Sequence, residues 1–202
     1  LFSLSIFATN STADDNFAVE KVKGHLSVMV LGSGGPVTTK AARAGASYLI
    51  FIEGKPKILM DAGGGAFQRL SASGANIKDL DIVLLTHLHI DHTGDLSPII
   101  KTMYFQYRTF NVENGTFPPG RTAAFRVFGP GANGAKFPAV LVDANPDTTQ
   151  YPSTVEFING NYDVNTGTDR YLNIFTRAIG AGIFNYSTQN VSPDWKDYNP
   201  VT

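Results

Sequence analysis

Thr86-His87-Leu88-His89-Ile90-Asp91-His92 follows directly on the apolar run Ile82-Val83-Leu84-Leu85. The run reads as a buried strand. The stretch after it holds three of the chain's four histidines and one aspartate. A lone histidine usually satisfies a core or a solvated surface. Three at this spacing with an aspartate, at the end of a rigid strand, form a platform for metal ligands. Neutral imidazole nitrogens and carboxylate oxygens suit zinc, and also manganese or iron.

The composition sets outer limits. A chain of 202 residues that is 43% hydrophobic can bury a sizeable core, which excludes wholesale disorder. Its net charge of -1 supplies no global basic field to recruit nucleic acid. There are no cysteines, so any metal is held by His, Asp or Glu. The apolar run Leu1–Ala8 precedes the polar stretch Thr9–Asn16. It resembles the end of a secretory signal; a frayed segment or an edge strand is the other reading. It is too short to span a bilayer. Residues 1–25 are therefore expected to be a signal remnant and polar leader, and 26–202 the folded domain. Export would place the protein outside the cell or in a periplasm.

Outward from the histidines, the chain alternates strands and short helices. Leu26–Leu31 reads as a strand ending in Gly32-Ser33-Gly34-Gly35-Pro36. That loop lacks the Lys-Ser/Thr ending of a P-loop and the third glycine of a dinucleotide fingerprint, so a nucleotide site is rejected. It is either a tight turn or a place where backbone approaches the metal site closely. Ala46–Ile52 and Pro56–Met60 form a hairpin around Glu53-Gly54-Lys55. The second strand delivers Asp61, and a helix over 66–73 follows, stopped by Gly74. After the histidines, Ser97 and Pro98 are the expected cap and first residue of a helix. Phe110–Arg121 is a loop, 124–128 a strand, and 170–184 a candidate helix. Residues 129–167 give mixed signals. Strands alternating with helices, together with a hairpin, imply an α/β fold with a mixed sheet.

His87-x-His89-x-Asp91-His92 resembles the signature of the metallo-β-lactamase-fold hydrolases. Val30–Pro36, Arg43–Ile50, Leu59–Gly63, Leu84–His87 and Phe128-Gly129-Pro130 are similar to successive blocks of its ribonuclease Z-like and arylsulfatase-like branch. The resemblance covers about residues 26–130. It implies an αββα sandwich with mixed β-sheets and two zinc ions. By that resemblance His87 and His89 bind the first zinc, and Asp91 and His92 the second, with Asp91 also catalytic. Asp61 either orients a ligand histidine or caps a turn. Arg43 is either an ordinary surface residue or a substrate contact.

The family also has later ligands, and no histidine follows His92. The expectation is therefore an N-terminal part of the fold, which on its own binds at most one metal weakly and has little activity. The implied reaction is hydrolysis of a phosphodiester or sulfate ester. A β-lactamase or lactonase, and a catalytically silent module keeping the fold, are the alternatives. With an exported protein, a small-molecule ester fits better than tRNA maturation, with no strong nucleic-acid signal, no membrane span and the oligomeric state open.

Overall fold

Strand-forming residues that alternate inward and outward build one sheet. The computed structural model describes residues 22–37, 40, 42–106, 123–132, 151–178, 183 and 185–191. Residues 1–21 of the leader expected over 1–25 and the loop Phe110–Arg121 lie outside them. Six strands run in spatial order β1 (Leu26–Gly32), β2 (Ser47–Ile52), β3 (Lys55–Met60), β4 (Ile82–Leu84), β5 (Phe125–Pro130) and β6 (Tyr186–Val191). The first three pair antiparallel and the rest parallel, so the sheet is mixed as expected. Glu53 and Gly54 both have positive φ at the β2–β3 hairpin, the conformation of a two-residue type I′ turn.

Register explains the core. Leu49 pairs with Leu59, Leu59 with Val83, and Val83 with Val127. This row crosses four strands on one face, and all of it is buried. The helices α1 (Ala66–Ala72), α3 (Leu96–Gln106), α4 (Thr154–Tyr162) and α5 (Leu172–Ala178) join it through Leu70, Ile99, Ile100, Met103, Ile158 and Leu172. At about 25 cal/mol per Å² of apolar area, each fully buried side chain of this size contributes roughly 1.5–3 kcal/mol. The opposite face is barer. Leu26, Val28 and Val30 are each more than half exposed there, opposite Ile52, Ile50 and Tyr48. Among the described residues, no helix is long and apolar enough to cross a membrane.

Three elements differ from expectation. α3 begins at Leu96, and Ser97 does not cap it. Ser97 Oγ instead bonds the Asp169 carboxylate at 2.6 Å and the Tyr162 hydroxyl at 2.8 Å, tying α3 to the segment around α4. Pro98 then sits in the first turn, where a missing N–H costs nothing. β5 runs through Gly129 and Pro130, because both pair with β6, at Asn190 and Val191. Within the helix expected over 170–184, α5 occupies Leu172–Ala178, residues 179–182 and 184 lie outside the described residues, and the polar β6 follows at Tyr186.

α4 falls in the stretch of mixed signals, yet its cap is explicit. Ser153 Oγ accepts from the Glu156 N–H at 3.2 Å, and the Ser153 N–H donates to Glu156 Oε2 at 2.7 Å. This reciprocal box satisfies two of the helix's orphan groups. Ser153→Ala is expected to lower stability by about 1 kcal/mol. In urea unfolding the midpoint should fall with an unchanged slope. An unchanged midpoint would remove the cap from the account of α4.

Candidate metal centre

The carboxyl ends of β3 and β4 lie side by side, so Asp61 and the stretch after Leu85 meet there. Asp61 turns the chain with a φ of 58°, a left-handed conformation that aspartate tolerates better than most side chains. Its N–H donates to the Leu84 carbonyl at 2.8 Å, and its own carbonyl accepts from Ser47 Oγ at 3.0 Å. The carboxylate is buried. Oδ1 accepts from the Thr86 N–H at 2.8 Å, and Oδ2 from Thr86 Oγ1 at 2.7 Å. Oδ2 also lies 2.7 Å from His92 Nδ1. An ionised carboxylate only accepts, so Nδ1–H is the donor of this bond. Asp61 thus contacts both a histidine of the decisive stretch and the turn at Thr86.

The short helix α2 (Ile90–Thr93) carries Asp91 and His92. The Ala62 N–H donates to the His92 carbonyl at 2.7 Å, and the Asp95 N–H to the Ala62 carbonyl at 2.8 Å, fastening α2 to the turn after β3. Asp95 Oδ2 in turn accepts from the Phe67 N–H at 2.9 Å, at the amino end of α1. This close seating needs glycine. A Cβ on Gly63 would stand 2.0 Å from the Asp91 carbonyl oxygen, and one on Gly45 2.7 Å from the same atom. A Cβ on Gly32 would meet the Gly45 carbonyl at 2.0 Å. The Gly32–Pro36 loop therefore supports the 44–45 segment, and it is Gly45 and Gly63 that approach α2.

His87, Asp91 and His92 each offer a ligand atom within 4.8 Å of the others. Two imidazoles and a carboxylate are a fitting donor set for zinc, which in catalytic sites takes three protein ligands. The His87 and His92 rings are 3.9 Å apart between centroids. His92 Nε2 lies 3.5 Å from Asp91 Oδ2. His89 is not in that set. Its ring touches the edge of His87 at 4.7 Å, while its Nε2 lies 3.3 Å from the Tyr151 hydroxyl. Burial holds His87 below the ordinary histidine range. The neighbouring His92 and His89 push the same way, and Asp61 and Asp91 oppose them.

His87 and His89 also line a cleft of ≈ 280 Å³ with Thr86, Leu88, Pro130, Gly131, Tyr151 and Pro152. Arg43 is exposed and lines a different cleft, of ≈ 210 Å³, together with Arg69. Thr86 and Tyr151 are the contacts that sequence reasoning missed. Thr86 stands inside the decisive stretch. Tyr151 lies in a segment without periodicity, and no local pattern marks it.

A family model described as the Metallo-beta-lactamase superfamily matches residues 41–155. The ribonuclease Z of Mycolicibacterium paratuberculosis is 40% identical over 79 residues, 39% of this chain and 28% of that protein. The ribonuclease Z of Methanopyrus kandleri is 41% identical over 73 residues, 36% of this chain and 25% of that protein. Human tRNase Z, short form, superposes with a TM-score of 0.40 at 24% identity, covering 51% of this chain and 34% of that one. The chain thus spans about a quarter to a third of the length of these ribonuclease Z relatives. These relatives are ribonucleases, which corrects the expectation of a small-molecule ester substrate with no nucleic-acid signal. A near-zero net charge averages over the whole surface and does not report on what one cleft admits.

Two outcomes follow from the site. Asp61→Asn should weaken metal binding about 10–100-fold, as loss of a ligand's orienting partner does; unchanged affinity in a competition titration would sink that role. In metal-free protein the His87 ring should titrate below 6.5 by NMR. The unfolded chain takes this proton more readily, so the contribution to stability is present above about pH 6.5 and is lost as pH falls below it. A midpoint at or above 6.5 contradicts the assignment.

Proposed function

The chain belongs to the metallo-beta-lactamase superfamily, and from that premise we propose that it carries the metal-holding part of a hydrolase that cleaves phosphodiester bonds in RNA. The observation that supports this most is the convergence of His87, Asp91 and His92 within 4.8 Å at the end of a buried strand. The ribonuclease Z relatives, up to 41% identical over the matched region, supply the substrate class.

The proposed metal is zinc, held by His87, Asp91 and His92, with His89 adjoining His87 as a fourth donor for a pair of ions. When bound, it supplies a nucleophilic water at neutral pH and a Lewis acid for the phosphoryl oxygens. The remaining work falls to the chain. Asp61 and Thr86 hold the imidazoles in one orientation, so no reorganisation is needed when charge develops. Asp91, beside His92, is the carboxylate proposed to take the proton of the attacking water. Leu88, Pro130, Tyr151 and Pro152 give the cleft apolar walls beside the histidines, suited to the ribose and base next to the scissile phosphate.

The test uses protein expressed from the native gene, with zinc, on a structured RNA, its DNA counterpart and a β-lactam. RNA cleavage that a chelator abolishes is expected, and Asp91→Ala should slow it by about 100-fold or more. Chelator-insensitive cleavage, or turnover of the β-lactam alone, would overturn the proposal.

A further inference from the structure

The three histidines of the site are not held in the same way. His87 Nδ1 lies 3.2 Å from Thr86 Oγ1, and His92 Nδ1 lies 2.7 Å from Asp61 Oδ2. In both, the hydrogen-bonded nitrogen is Nδ1, the one nearer the backbone, and His92 Nε2 faces Asp91 Oδ2 at 3.5 Å. His89 is the reverse: Nε2 is engaged, 3.3 Å from the Tyr151 hydroxyl. A neutral imidazole has one N–H and one lone pair. Whichever nitrogen carries the hydrogen leaves the other to accept or to ligate.

Tyr151 stands on a firm base for this purpose. Pro152 restricts it to extended backbone. The capped helix α4 starts two residues later and is fixed to the sheet. Thr154 Oγ1 donates to the Pro130 carbonyl at 2.9 Å, and the Val155 N–H to Asn190 Oδ1 at 3.0 Å. Gly129 makes room for this, because a Cβ there would stand 2.4 Å from Thr154 Oγ1. His89 is fixed from its own side, where its carbonyl accepts from Thr93 Oγ1 at 3.1 Å. The two rings lie 5.7 Å apart between centroids, tilted by 45°.

We infer that Tyr151 is a positioning residue for His89: its hydroxyl oxygen accepts the Nε2–H, fixing the tautomer whose free nitrogen for a metal is Nδ1. This rests on the metal reading of the site. It joins the segment before α4 to the metal centre, so that the wall of the cleft also orients a ligand.

The experiment compares the native protein with Tyr151→Phe by long-range ¹H–¹⁵N spectra of the metal-free imidazoles and by zinc competition titration. Native His89 should appear as the Nε2–H tautomer. In the variant it should become a mixture of both tautomers, with zinc bound about 10-fold more weakly. His87 and His92 spectra and the melting temperature should not change, which separates positioning from folding. The same His89 tautomer and the same affinity in both proteins would overturn the inference. Should neither protein bind zinc while the His89 tautomer still responds, the metal reading falls and the hold of Tyr151 on the ring stands.

Discussion

One buried carboxylate organises this molecule. Asp61 is almost wholly enclosed, and an isolated charge in that position would cost several kcal/mol. Three donors on a single neighbouring segment offset that cost: the Thr86 N–H, the Thr86 hydroxyl and His92 Nδ1. Each also does something else. The first two fix the exit from β4, and the third sets the orientation of an imidazole. Removing Asp61 would therefore not delete one contact; it would free a turn and a ring together.

That arrangement requires backbone to touch backbone. Gly32 lies against the carbonyl of Gly45, and both Gly45 and Gly63 lie against that of Asp91. Four chain segments meet there with no side chain between them. The glycines make the approach possible, and hydrogen bonds such as that from Ala62 to His92 hold it. Asp91 is thus carried on a helix of one turn that could not keep its place alone.

Much of this was legible from the residues. The apolar run before Thr86, the hairpin around Gly54 and the strand β1 are local patterns, and they appear nearly where expected. The histidine spacing pointed to the candidate site, because spacing along one short segment survives folding, and His87, Asp91 and His92 do come together. What could not be read depends on partners distant in sequence. Ser97 has the chemistry of a cap, but Asp169 and Tyr162 claim its hydroxyl. β6 is polar and lacks a strand's usual composition; it becomes a strand by pairing along the whole length of β5. Tyr151 has no signature at all. α4 is a different case, since Ser153 and Glu156 formed a readable box that was obscured by the proline- and glycine-rich residues before it.

The separation of contacts along the chain also suggests an order of assembly. Asp61 and His92 are 31 residues apart, and His89 and Tyr151 are 62 apart. Doubling the span of a flexible loop adds only about 0.6 kcal/mol of closure entropy. The more distant contact is thus affordable, but it is later to form where local contacts lead. During synthesis, the carboxylate and the three histidines leave the ribosome well before Tyr151. A growing chain would then hold the candidate metal site for an interval while the far wall of its cleft is still being made.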